Sequence, residues 1–217
     1  MNLKIISLTL ESNQRIRENS AKLRGFFASR YREYELLHQH SGEAFVYEYP
    51  LIQYKLIEGK PVIVGINEGV EVIKEIYNKF DSLSLGASKY EIFGTELRLS
   101  ESEFGVTDYL VNYCFLSPWF ALNQENHEKY LGLNNLEQAE LLKRILAGNI
   151  LSMSKSLGYE VKETLKIDTF LRPAESSFKR KPIIAFMGQF KVNFNIPEFF
   201  GIGKSVSRGF GTVKRCD

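Results

Sequence analysis

Leu3 to Leu10 alternates apolar and polar positions and is rich in β-formers, which predicts a strand. The period then changes. From Ser12 to about Leu37, residues Ile16, Leu23, Phe27, Tyr31, Tyr34 and Leu37 recur at helical spacing, which predicts one long helix with Gly42 beyond its exit. Phe45 to Tyr49 and Leu51 to Ile57 read as strand pieces. Glu58-Gly59-Lys60-Pro61 turns the chain back into Val62 to Ile66, a hairpin. A second helix over Val70 to Phe80 puts Val70, Ile73, Ile76, Tyr77 and Phe80 on one face, and Tyr90 to Leu99 is again strand-like.

The first hundred residues therefore read β-α-β-β-α-β, the ferredoxin-like order. A second round follows in element order, without sequence identity. Tyr109 to Leu116 reads as a strand and Leu136 to about Leu157 as a long helix, with further strands in Tyr159 to Phe170 and Lys181 to Asn195. The expected fold class is α+β: two tandem ferredoxin-like (βαββαβ) halves, 1–103 and 104–217, with antiparallel sheets and a C-terminal glycine-rich loop.

That loop, GIGKSVSRGFG from Gly201 to Gly211, contains a GKS triplet but not a mononucleotide site. Glu198 stands where the leading phosphate-loop glycine belongs, and only 12 residues follow Ser205, too few for a crossover helix and strand. The dinucleotide pattern fails at Val206. What remains is a turn with exposed N–H groups flanked by Lys204, Arg208 and Lys214, an arrangement that favours anions. Charge placement agrees. The formal net charge is only +2, yet nine Lys/Arg face three acids from Arg172 onward, against 19 and 23 before it. A basic end on a near-neutral body suits a polyanion; a solvated basic tail is the plainer alternative.

The apolar fraction of 44% and the charged fraction of 25% are those of a globular protein. No apolar run reaches membrane-helix length, so no membrane partner is expected. MNLKIISLTLES is too short and too strand-like for a secretory signal, and Cys114 and Cys216 are too few for a disulfide framework. A cytoplasmic location is the expectation.

Two of the three histidines stand together, in Leu37-His38-Gln39-His40-Ser41-Gly42. Two apart on an extended chain they point the same way, about 6.6 Å apart, within reach of both oxygens of one phosphodiester. Arg30, Tyr34 and His38 fall at i, i+4 and i+8, a row along the predicted helix. Arg30 on an apolar stripe wants an anion, either a protein carboxylate or a phosphate. Tyr47 follows in the next strand piece, as a phenol near the site or as sheet packing. His127 sits among polar residues and reads as surface. His38-x-His40 has no acid or cysteine at metal-site spacing, so no metal is expected.

These pieces resemble the CRISPR repeat-specific endoribonucleases of the repeat-associated mysterious protein (RAMP) superfamily, which cut precursor CRISPR RNA. Gly201-Ile202-Gly203, five residues, then Gly209-Phe210-Gly211 fit that family's C-terminal pattern, and Phe186 to Val192 resembles its last strand. The resemblance spans the whole chain. It implies metal-independent RNA cleavage without a cofactor: the 2′-OH attacks phosphorus, leaving a 2′,3′-cyclic phosphate and a 5′-OH. His38 and His40 would move the protons, Arg30 would take the cationic role and Tyr47 the phenol role. The family often uses a lysine, and none lies between Lys22 and Lys55. Gly201, Gly203, Lys204, Ser205, Arg208, Gly209, Gly211 and Lys214 would bind the RNA. Implied partners are CRISPR repeat RNA, a second copy of the chain in a homodimer, and a CRISPR interference complex. The alternative is a non-catalytic RNA-binding subunit of such a complex; a structural ferredoxin-like domain is a third, which the basic end disfavours.

Overall fold

The computed structural model describes residues 1–38 and 48–216. The Phe45 end of the predicted strand piece, with His40 and Tyr47, lies outside them. By contacts the chain divides into two units, one of Asn2–Glu103 with Val206–Gly209, the other of Met1, Phe104–Ser205 and the residues from Phe210 on.

In the first unit, β1 (Asn2–Ser12) is followed by α1 (Ser20–Arg30), α2 (Glu35–His38), β2 (Ile52–Ile57), β3 (Lys60–Ile66), α3 (Glu68–Ile76), β4 (Ser82–Leu85) and β5 (Ser88–Glu103). The sheet order is β2-β3-β1-β5-β4 with antiparallel neighbours, the ferredoxin-like arrangement with β4 added at one edge. One side of β1 buries Ile6, Leu8 and Leu10 against Leu23 and Phe27 of α1 and Val70, Ile73 and Ile76 of α3. Phe27 stacks on Tyr54, ring centroids 5.8 Å apart.

The single helix expected over Ser12 to Leu37 is broken. β1 runs on to Ser12, and α1 begins only where the Asn19 side chain accepts from Lys22 N–H, an N-cap. Tyr31 leaves the helix at φ −120° while its N–H still bonds the Phe27 carbonyl. The apolar spacing continues across the break because Tyr31 and Leu37 enter the same core as Phe27. Periodicity registers which side is buried; it does not register the turn between two short helices that share that side.

The second unit contains β6 (Gly105–Phe115), α4 (Gln124–Gly132), α5 (Asn135–Ser156), β7 (Ile167–Phe178), β8 (Lys181–Asn195) and β9 (Val213–Arg215). Its order, β7-β8-β6-β9, is again ferredoxin-like and antiparallel. A capping box between Asn134 and Glu137 starts α5. The strand expected from Tyr159 begins only at Ile167. Upstream of it, Asn193 holds the backbone instead, its Oδ1 accepting from Lys166 N–H at 2.7 Å and its Nδ2 donating to the Thr164 carbonyl. Where a ferredoxin-like round would place its second helix, between β8 and β9, this chain has the Gly201–Gly211 loop with a 3₁₀ turn at Val206–Arg208.

Cys114 of β6 and Cys216, just past β9, form a disulfide, Cα atoms 5.9 Å apart. Two cysteines are no framework, but antiparallel pairing of β6 with β9 sets Cys114 opposite Lys214 and so delivers Cys216 beside it. The bond spans 102 residues of sequence, and a cross-link closing a loop of about 100 residues stabilises the fold by about 4.7 kcal/mol in the chain-entropy account. Reductant should therefore lower the melting temperature of the wild-type protein and leave Cys216→Ser unmoved; equal melting of the oxidised and reduced wild type would contradict the linkage.

Candidate functional site

Within the first unit, the turn Val206–Arg208 lies against β2 and α1. Gly209 permits that approach. Its φ is +86°, and a Cβ there would fall 2.4 Å from Ser20 Oγ, at the start of α1, and 3.0 Å from the Tyr54 carbonyl. On the other side of the turn, the Lys55 ammonium donates to the Val206 carbonyl at 3.4 Å and to Gln53 Oε1 at 2.9 Å. Gln53 is itself held by the Pro50 carbonyl, 3.1 Å from Nε2. Lys55 is 1% exposed. No carboxylate pairs with it among the described residues, and burial pulls its pKa down to about 7.

The turn carries Arg208 into the neighbourhood of Arg24 on α1. Burial, and then the Arg208 charge, lower the Arg24 pKa. Arg24 Nη2 donates to the His38 carbonyl, tying α1 to the end of α2. Among the described residues nothing pairs with the buried Nε of Arg24 or with the buried hydroxyl of Tyr54, whose pKa burial raises. A buried guanidinium N–H and a buried phenol O–H without protein partners, with the Arg208 charge acting on the same guanidinium, are what an oxyanion would satisfy. His38 is half-buried at the edge of this cluster.

Arg30 is placed elsewhere. Its guanidinium donates to the Lys79 carbonyl at 3.2 Å and lies 5.8 Å from the ring centres of Phe26 and Tyr31. Tyr34 donates to Glu75. The row Arg30, Tyr34, His38 requires an unbroken helix, and the turn at Tyr31 dissolves it. The arginine that reaches His38 is Arg24. The sequence reading passed over Arg24, Tyr54 and Lys55. A signal for Lys55 was available, since one lysine interrupts the otherwise apolar and amide run Leu51 to Ile57.

The rest of the glycine-rich loop belongs to the second unit. Gly201 bridges to Thr212. Gly203 has φ +91°, and a Cβ would lie 2.6 Å from Trp119 Nε1, so this glycine answers a packing need inside the protein. Lys204 Nζ donates to the Leu122 carbonyl at 3.2 Å and stands 5.5 Å from the centre of the Phe120 ring. Ser205 is half-buried and Gly211 buried, while Lys214 is exposed on β9. Of the eight loop candidates, Arg208 and Gly209 belong to the first unit with Arg24, and the other six belong to the second. No helix among the described residues is long and apolar enough to cross a membrane.

Residues 1–103 match the description of the Cas6b N-terminal domain and residues 105–216 that of the Cas6b C-terminal domain. The chain belongs to the Cas6b family. A crystal structure of Cas6b is similar at 40% identity with a TM-score of 0.92, covering 100% of both chains. A crystal structure of a CRISPR RNA processing endoribonuclease Cas6b gives 36% identity and a TM-score of 0.80, again over 100% of both. An uncharacterised protein of Methanocaldococcus jannaschii is 42% identical over 144 residues, 66% of this chain and 98% of that protein.

The environment of Lys55 makes a sign-specific prediction. Its folded pKa, about 7, lies below the ordinary 10.5, so the unfolded chain holds the proton more tightly. This group's contribution to stability therefore rises with pH across that interval, by up to about 1.4 kcal/mol per pH unit. In denaturant unfolding the wild type should gain on Lys55→Met as pH rises from neutral into the alkaline range. Parallel curves for the two proteins would remove the buried ammonium from the account.

Proposed function

We propose that this chain is a metal-independent endoribonuclease that binds CRISPR repeat RNA and cleaves precursor CRISPR RNA, leaving a 2′,3′-cyclic phosphate and a 5′-OH. The observation that carries the reading is the Arg24–Arg208 pair beside His38, in a chain of the Cas6b family. A relative of 36% identity is described as a CRISPR RNA processing endoribonuclease.

In this mechanism the scissile phosphate enters between the two guanidinium groups. Arg24 Nε and the Tyr54 hydroxyl donate to its non-bridging oxygens, and the charge that grows on the phosphorane is met by donors already in place. The 2′-OH loses a proton as it attacks phosphorus, and the departing 5′-oxygen gains one. His38 and His40 are the proton carriers, because imidazole has one nitrogen that can accept a proton and one that can donate it. Tyr47 assists as a hydrogen-bond donor. Lys55 stays out of contact with RNA and holds the turn that presents Arg208.

Single-turnover cleavage of repeat RNA in EDTA tests this. His38→Ala and His40→Ala should each slow cleavage by about 10²–10⁴-fold while retaining RNA affinity. Arg24→Ala should lose about 10²–10³-fold in rate, and Arg30→Ala should lose far less. RNA with a 2′-deoxy sugar 5′ of the cut should bind and remain intact. A strict magnesium requirement, cutting of the deoxy substrate, or full activity of Arg24→Ala would overturn the reading.

A further inference from the structure

We infer that the second unit carries a stacking pocket for an unpaired RNA base, separate from the Arg24 cluster. This rests on the proposed function, since it names a part of the same substrate. A cleft of about 530 Å³ lies between the start of α4 and the closed end of the β7–β8 hairpin, within the usual range of about 300–1,000 Å³ for small-ligand sites. Phe120 and Phe178 form its apolar wall, and Asn123 and His127 bring polar edges.

The wall is an aromatic cluster left partly open. Phe120 packs on Phe178 at 5.4 Å and on Phe210 at 5.7 Å, centre to centre, and none of the three rings is fully buried. Cations sit against these rings: Lys204 at 5.5 Å from the Phe120 centre and Lys179 at 5.6 Å from that of Phe178, with Lys181 also lining the cleft. None of these lysines has a carboxylate within 4.0 Å among the described residues. Among the described residues no acid lines this cleft itself; Glu175 lines the adjoining one, which shares His127, Pro182, Ile183 and Ile184.

The hairpin tip adds a second, independent sign. Lys179 and Arg180 connect β7 to β8 with φ +50° and +64°. A two-residue turn of that kind favours Asn-Gly, which adopts positive φ with little strain. Here two long cationic residues hold the strained conformation, and such strain concentrates where function requires it. Apolar ring faces beside ammonium groups that lack a carboxylate partner match one chemistry: a flat base on the ring, its flanking phosphates on the lysines. An acidic peptide would satisfy the cations but not the open aromatic face.

Fluorescence titration with a short single-stranded RNA carrying one 2-aminopurine tests the pocket, with repeat-RNA cleavage by the wild type measured in parallel. Wild type should quench the probe. Phe178→Leu, which keeps apolar volume, should lose the quench and weaken binding on the order of 10-fold. Phe178→Trp should restore both. Lys179→Ala with Lys181→Ala should flatten the salt dependence of log K by about 1.4. Failure of the wild type to bind or quench the probe, or Phe178→Leu behaving as wild type, overturns the pocket even when repeat RNA is cut. A Phe178-dependent quench without repeat cleavage keeps the pocket and overturns the nuclease reading.

Discussion

A lysine ammonium is costly to bury without a carboxylate, and Lys55 is buried almost completely. The shift from 10.5 to about 7 corresponds to roughly 5 kcal/mol of disfavoured charge. The ammonium is kept inside by two carbonyl oxygens, those of the Gln53 side chain and the Val206 backbone. That second bond joins positions 151 residues apart in sequence, and it fixes the Val206–Arg208 turn against β2. Everything claimed for Arg208 depends on the turn staying there. A methionine at position 55 would fill the space and drop the bond, so stability and function need not move together at this position.

The loop reaches that position because a helix was omitted. In the second round, β8 returns to β9 through Gly201–Gly211, and a loop's buried backbone groups need individual partners. They have them. Ile202 N–H donates to Gly211, Lys204 N–H to Phe120 and Gly211 N–H to Pro118, all near 3 Å. Gly209 N–H closes the 3₁₀ turn onto Val206. Steric necessity at Gly203 and Gly209 thus explains these two glycines from within the protein, and the cation that the turn brings into the first unit is Arg208.

Elements with one dominant period were legible in the sequence. The bounds of β8 match those expected, α5 differs by one residue at each end, and both ferredoxin-like rounds follow from element order. What escaped was too short, too polar or hidden inside a continuous period. The polar helix α4 buries Tyr130 alone, and the break at Tyr31 hides inside continuous apolar spacing. The choice of His38 rests on chemistry alone, and His40 and Tyr47 lie outside the described residues. Arg24 and Tyr54 could not be picked that way. Their meaning comes from a turn far downstream in sequence, and only the folded chain brings the Arg208 charge to bear on Arg24. Helical spacing aligns Arg30 with His38 only on a helix that does not turn.

The central claim is that Arg24 and Arg208 grip one phosphate beside His38. A crystal structure with repeat RNA blocked by a 2′-deoxy sugar at the cleavage position measures it directly. The expected result is the scissile phosphate within hydrogen-bonding distance of Arg24 Nε and of the Arg208 guanidinium, with the blocked 2′ carbon facing His38 or His40. A scissile phosphate bound away from both arginines, with Arg24 Nε still unpaired, would contradict it.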